Sequence, residues 1–567
     1  MVHAPSWRVL AASLFLVIGA GSAAAQTASS PPSKGPGHAA IASANYLATN
    51  AGFEVLGKGG NAFDAAVAVS STLAVVEQQS SGIGGGFMAL LHRASDNRDV
   101  FIDARETAPK AVDMKVYVGK DGQPNRDVST NGPLSAGIPG EPAGLVWMAA
   151  HYGKLPLSVS LAPAIRIATE GFQPDARFLG TIDDRKDVLA RYPASAAVYL
   201  PNGKVPGAGW TLKQPDLAKT LQRLAAKGHD GFYKGETAKL LVDASRSAGG
   251  NWTAADLEAY QAKEREPLSV QYKGYRIVTA PPPSSGGVAI AEILNIMSGF
   301  DFTKLDLAHS THLTIEAMRR AFRDHNEYLG DPDFVKMPLD MLLSSYYADG
   351  LRATISPDKA TPSDLLPTSM APEPGMHTTH FSVIDADGNM VASTLTVNLE
   401  FGSAFVAKGT GVVLNDEMDD FALVPGQPNA FGLRGALANA PEPGKRMLSS
   451  MSPSFVFGAD RTAVIGSPGG STIITQVLEG ILAFIDGKSA SEITAQKRYH
   501  HQYLPDRVDV EAGVFDDATA KALTDMGHVL KNRSPWGFMN VVTWDHRNNK
   551  LDAASDPRRP SGLGKVQ

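Results

Sequence analysis

Thr379-His380-Phe381-Ser382-Val383-Ile384-Asp385 and Met390-Val391-Ala392-Ser393-Thr394-Leu395-Thr396-Val397 flank the stretch Ala386-Asp387-Gly388. Both runs are rich in β-branched and aromatic residues, so each reads as a strand. A three-residue loop ending in glycine suits a type I turn with a G1 bulge, which closes an antiparallel hairpin. Pairing centred on Asp387 sets Thr378 opposite Thr396. Immediately upstream, residues 354–375 are rich in Pro, Ser and Asp with weak periodicity, and read as an exposed loop. A loop-to-strand junction at Thr378-Thr379 is therefore expected.

Working outward, Asn61–Val76 (NAFDAAVAVSSTLAVV) is almost wholly apolar and reads as a buried helix. His38–Gly52 reads as a helix stopped by glycine. Ser80-Ser81-Gly82-Ile83-Gly84-Gly85-Gly86 is a glycine loop, followed by two strands, Phe87–His92 and Asp99–Ile102. Residues 140–350 look helix-rich. Gly411–Leu414 reads as a strand, and Ser454–Phe457 with Ala463–Ile465 as a second hairpin. Gly466-Ser467-Pro468-Gly469-Gly470 then leads into a helix from Ser471 to about Phe484. Apolar helices near residues 65 and 478 need sheet faces to cover, so the expected architecture is antiparallel sheet packed by long helices.

At roughly 150 residues per domain, 567 residues would make three or four domains, though one large sandwich can absorb that length. The chain is 43% hydrophobic and 19% charged, which rules out disorder throughout. Its net charge of −6 offers no basic face for nucleic acid. With no cysteine, disulfides, thiolate catalysis, Cys-zinc sites and iron–sulfur clusters are excluded. Arg8, the apolar run Val9–Ala20 and Ala23-Ala24-Ala25 form a signal peptide pattern, with cleavage expected between Ala25 and Gln26. The run is short for a membrane span, and no later segment has 18 uninterrupted apolar residues. A soluble exported protein, periplasmic or secreted, is expected, with a polar arm over residues 26–37.

Residues 82–86 do not fit a nucleotide cradle. Phe87 stands where the dinucleotide fingerprint needs glycine, the loop precedes a strand, and no G-x-x-x-x-G-K-[ST] occurs. Close backbone packing is the better reading. The 466–470 loop precedes a helix, so its amides suit an anion, including an oxyanion. No G-x-S-x-G or H-E-x-x-H is present. His377, His380, His500 and His501 lack a ligand spacing, so satisfied or surface histidines are expected. The remaining route to a hydrolytic nucleophile is a Thr or Ser made N-terminal by chain cleavage. Its α-amine, with a pKa near 7.7–8, can then take the hydroxyl proton.

Thr378–Asp385 with Asp387-Gly388-Asn389 resembles the γ-glutamyltransferase (γ-glutamyltranspeptidase) family of N-terminal-nucleophile hydrolases. Further motifs resemble the family in its own order over roughly residues 38–560. They are Gly59–Ala66, Ser81–Gly86, Arg105–Pro109, Gly137–Gly140, Pro283–Gly287, Leu414–Phe421, Leu448–Pro453 and Gly466–Ser471. The resemblance implies an α+β fold, a four-layer αββα sandwich. It also implies self-cleavage before Thr378 into a large piece, 26–377, and a small catalytic piece, 378–567, which stay associated. Thr378 would attack the His377 carbonyl first, and substrate amides afterwards.

By the same resemblance Thr396 hydrogen-bonds the nucleophile, Asn398 contacts substrate, and Gly469 and Gly470 form the oxyanion hole. Arg105, Ser449 and Ser450 match the contacts to the substrate α-carboxylate, and Glu417 and Asp420 those to its α-ammonium. Residues 425–445 align with a lid loop, in which Phe431 replaces a common Tyr. The implied substrates are a glutathione-like γ-glutamyl donor and water or an amino acid or peptide acceptor, with no metal or organic cofactor. The alternative is a glutaryl or cephalosporin acylase of the same family, whose acyl group lacks the ammonium.

Overall fold

The structure, a computed structural model, describes residues 34–366 and 378–567. The expected signal peptide, its cleavage site, most of the arm over 26–37, residues 367–375 of the upstream loop and His377 lie outside the described residues.

The hairpin forms in the expected register, with Thr379 opposite Leu395, His380 opposite Thr394 and Ile384 opposite Met390. Its turn depends on Gly388, which takes φ = 88° while its N–H donates to the Asp385 carbonyl at 3.0 Å. Asp385 Oδ1 accepts from the N–H groups of Asp387 (3.0 Å) and Asn389 (2.9 Å), so the aspartate braces the loop it opens.

This hairpin lies at the centre of a seven-stranded sheet. The spatial order is Leu563–Val566, Ala40–Ser43, Thr379–Ile384, Met390–Thr396, Gly86–Arg93, Arg98–Ala104 and Lys263–Arg265. Every neighbouring pair is antiparallel. A six-stranded antiparallel sheet runs Lys550–Ser555, Asn540–Asp545, Arg461–Gly466, Ser454–Phe457, Tyr275–Thr279 and Leu268–Tyr272. Side chains alternate across the first sheet. Val391 and Leu395 enter one core with the helices Tyr46–Gly57 and Ala62–Val76. Met390 and Ala392 enter a second core with Val464 and Val542 of the facing sheet and with the helices Gly286–Met297 and Ile473–Ile485. Helices thus cover the outer face of each sheet, and the layers are αββα, as the resemblance implied.

The helix Ala62–Val76 begins with a capping box, Asn61 and Asp64 each accepting from the other's backbone, and all its residues are buried. Its alanines give a smooth surface that lets it lie close to the sheet.

Some expectations need correcting. His38–Gly52 is not one helix: Ala40–Ser43 is a strand between Thr379–Ile384 and Leu563–Val566, and the helix starts at Tyr46 behind its Asn45 cap. Alanine-rich sequence favours helix locally, but the two sheet neighbours override it. The 411–414 strand shrinks to Val412–Val413, paired with Val406–Ala407. The helix-rich middle also contributes Lys263–Arg265, Leu268–Tyr272 and Tyr275–Thr279 to the two sheets. Among the described residues no helix is long and apolar enough to cross a membrane.

Candidate active site

Thr378 precedes the first hydrogen-bonded residue of its strand and is nearly buried. Its Oγ1 lies 3.3 Å from Thr396 Oγ1, across the ladder, and donates to it. Thr396 Oγ1 also accepts the Asn398 N–H at 2.7 Å. Asn398 turns the chain out of the strand at φ = 75°, and its Nδ2 donates to the Asp416 carbonyl at 2.9 Å. Threonine, turn and the 414–421 segment are therefore coupled by short hydrogen bonds.

The glycine loop at 82–86 explains itself here. A Cβ on Gly85 would lie 2.0 Å from the Thr396 carbonyl oxygen, so glycine lets the loop back close behind the site. Close packing, not phosphate binding, accounts for this loop.

The second glycine loop faces the pocket. Gly469 and Gly470 take φ = 140° and 57°, and a short 3₁₀ turn, Gly470–Thr472, precedes the helix Ile473–Ile485. The helix proper thus starts two residues later than expected. Among the described residues neither glycine amide donates to an acceptor. Phe431 packs on Gly470, where a Cβ would lie 2.4 Å from its ring.

Arg105, which lines the same cavity, is buried. Its guanidinium pairs with Glu417 at 2.6 Å, with Asp420, and with Glu106 at 3.4 Å. It also donates to the carbonyls of Met447 (3.3 Å) and Leu448 (3.2 Å). One guanidinium cannot neutralise three buried carboxylates. Burial pushes Glu106 and Glu417 up to about 8, with Arg105 opposing the shift, and raises Asp420 for the same reason. Ser449 and Ser450 are held beside them by the 283–287 motif. The Ser449 carbonyl accepts from the Ser285 N–H at 2.8 Å, and the Ser449 N–H donates to the Pro283 carbonyl at 2.8 Å.

One cavity is lined by Arg105, Thr378, Thr396, Asn398, Asp420, Ser449, Ser450 and Gly470, eight of the ten residues singled out in the sequence. Gly469 sits one residue behind its wall, and Glu417 stands behind Arg105. Sequence reading missed several residues. Asn429 donates to Asp420 Oδ1 at 3.1 Å, and Asp419 accepts from the Ala430 N–H at 2.7 Å while pairing with Arg126 at 2.5 Å. Asp419 lies inside the 414–421 motif and Asn429 inside residues 425–445, so both are within reach of the sequence. Gln502 was not: its Nε2 donates to the Phe431 carbonyl at 3.3 Å and its Oε1 accepts from Ser471 at 2.6 Å. His325 and Arg434 also line the cavity.

The histidines considered for metal are satisfied where described. His380 bonds Thr394 and Ser382, and burial lowers it to about 3. His500 bonds Thr475 and Gln502, and His501 bonds Asp506 and the Tyr503 N–H. A different group, His312, Glu316 and His528, brings its ligand atoms within 4.8 Å of one another. Its donors are already engaged. His312 Nδ1 and His528 Nε2 share a 2.8 Å hydrogen bond, and Glu316 pairs with Arg319 and Arg320. A cation there would have to displace two guanidinium groups.

An αββα sandwich with a threonine at the start of a central strand, in one cavity with Gly470, is the arrangement of the class of N-terminal-nucleophile hydrolases. The family model described as Gamma-glutamyltranspeptidase matches residues 48–566, and the chain belongs to that family. It is 42% identical to a glutathione hydrolase proenzyme of Pseudomonas sp. (strain A14), over 92% of this chain and 93% of that protein. It is 41% identical to a protein of the same name from Escherichia coli (strain K12), over 92% and 91%. The crystal structure of a cephalosporin acylase from Bacillus halodurans superposes with a TM-score of 0.81 at 29% identity, covering 93% of this chain and 95% of that one.

Proposed function

We propose that the chain is an exported proenzyme that cuts itself before Thr378 and then hydrolyses or transfers the γ-glutamyl group of glutathione-like compounds. The observation that carries this reading is the placement of Thr378 in one cavity with Gly470 and the Arg105–Asp420 cluster.

Cleavage before Thr378 would free its α-amine beside its own Oγ1. The neutral amine takes the hydroxyl proton as Oγ1 attacks the γ-carbonyl carbon. Negative charge then develops on the carbonyl oxygen, where the Gly469 and Gly470 amides stabilise it. Thr396 Oγ1, which accepts from Thr378 Oγ1 at rest, fixes the position of the hydroxyl. The C–N bond breaks, the leaving amine takes the proton from the Thr378 ammonium, and an ester on Thr378 remains. Water or an acceptor amine repeats the sequence in reverse and releases the acyl group. The substrate's α-carboxylate is met by Ser449, Ser450 and Arg105, which exchanges its Asp420 pair for it; the released Asp420 meets the ammonium, with Glu417 adding negative charge from behind.

Both pieces of the chain build the seven-stranded sheet: Ala40–Ser43 lies between two strands of the 378–567 piece. That supports fragments that stay together after cleavage. The second reading, a glutaryl or cephalosporin acylase, draws on the structural likeness to such an enzyme. The acids around Arg105 favour an acyl group that carries an ammonium. Rates on a γ-glutamyl anilide and the matching glutaryl anilide decide between them. The γ-glutamyl compound should react with the higher kcat/KM; a faster glutaryl reaction would overturn the choice.

A further inference from the structure

Two arginines line the active-site cavity, and their surroundings differ. Without substrate, Arg105 pairs with three carboxylates and donates to two backbone carbonyls, and it can exchange Asp420 for a substrate carboxylate. Arg434 is nearly buried, yet among the described residues it has no carboxylate partner. Its Nη1 donates to the Gly426 carbonyl at 2.6 Å, and its Nε meets no acceptor. Burial without an anion lowers it to about 10, so it stays charged at neutral pH. His325, which also lines the cavity, adds no charge: burial holds it down at about 4, and among the described residues its Nε2 has no partner.

Arg434 is held where it stands. Pro428 and Arg434 form an antiparallel bridge, and the Gly426 N–H donates to the Gly435 carbonyl at 3.1 Å, which closes a small hairpin over the cavity. The Ala436 N–H anchors that hairpin to the helix Leu307–Tyr328 through the Asn326 carbonyl at 3.0 Å. A buried cation without a counter-ion is costly unless a ligand supplies one. A γ-glutamyl peptide carries two carboxylates. One belongs to the α-amino acid end, met by Arg105, Ser449 and Ser450. The other lies on the amine side of the scissile bond.

We propose that Arg434 binds the carboxylate on the amine side: the C-terminal carboxylate of a peptide donor before acyl transfer, and that of an amino acid or peptide acceptor afterwards. This assignment rests on the γ-glutamyl reading above. Arg434 is then a specificity residue that makes peptide carboxylates better partners than neutral amines.

The test compares three donors: glutathione, its C-terminal amide, and γ-glutamyl anilide, which has no second carboxylate. Wild-type enzyme should cleave glutathione with a kcat/KM at least about tenfold above that of the amide, the range of one charge-assisted hydrogen bond. In Arg434→Gln the acid-to-amide ratio should fall to near one, with the loss in KM, and Arg434→Lys should keep part of it. A wild-type ratio near one would overturn the proposal without needing any variant. An equal loss on glutathione and the anilide in Arg434→Gln would also overturn it, because the arginine would then serve the acyl side. Wild-type enzyme that cleaves none of the three but cleaves the glutaryl anilide would retire the γ-glutamyl reading itself and this assignment with it.

Discussion

Glu417 and Asp420 share Arg105 with Glu106, and the shortage of positive charge there has a consequence in pH. Glu417 titrates near 8, far above an exposed carboxylate, because burial disfavours its charge more than Arg105 favours it. Below that pH the cluster retains a proton and attracts an ammonium less; above it the full negative charge is present. The kcat/KM ratio of γ-glutamyl to glutaryl anilide should therefore rise several-fold, up to about tenfold, between pH 6.5 and 8.5. Taking the ratio cancels the titration of the Thr378 amine, which both substrates need. Glu417→Gln should reduce the rise, with Glu106 still titrating in the same range, and a flat ratio in wild type would contradict this account of the cluster. At this scale the sequence was informative where a residue's chemistry is local. The opposition of Thr378 and Thr396 follows from the length of one turn. Gln502 was invisible, because its partners Phe431 and Ser471 come from two distant loops.

The element that shapes the pocket most closely is the 466–470 loop with the hairpin above it. Gly470 is fixed by φ = 57° and by the Phe431 ring, so any side chain must displace either the loop or its cover. Gly470→Ala should lower kcat by about 100-fold, the range seen when one oxyanion donor is lost. Adding Phe431→Ala should restore part of that loss by removing the clash. No recovery would mean that backbone strain alone governs the position, and undiminished kcat in Gly470→Ala would contradict the oxyanion role. Glycine spacing marked this loop in the sequence, and the start of a helix behind it was legible. That the helix opens through a 3₁₀ turn was not, since Ser471 and Thr472 satisfy either geometry. Ala40–Ser43 misled for a related reason: its sheet partners lie more than 300 residues away, and local propensity carries no trace of them.

Over the whole molecule, the chain before and after residue 378 contributes to both sheets, and in the seven-stranded sheet the two parts interleave. The central hairpin has Ala40–Ser43 on one side and Gly86–Arg93 on the other, while Arg461–Gly466 and Asn540–Asp545 share the second sheet with Tyr275–Thr279. Such interleaving lets one peptide bond be cut without separating the parts, because the buried apolar area between them is that of a domain core. The layered class was legible in the sequence from two apolar helices and two hairpins. Strand order was beyond it, because it depends on pairings such as Leu563–Val566 with Ala40–Ser43 that no local pattern encodes.

The central claim is that Thr378 both cuts the chain and attacks substrate. Intact mass of the purified wild-type protein beside Thr378→Ala tests it most directly. The account predicts two wild-type fragments, the smaller beginning at Thr378, and a single uncut mutant chain without γ-glutamyl hydrolase activity. A mutant cut at the same bond, or an uncut wild-type chain that is fully active, would contradict it.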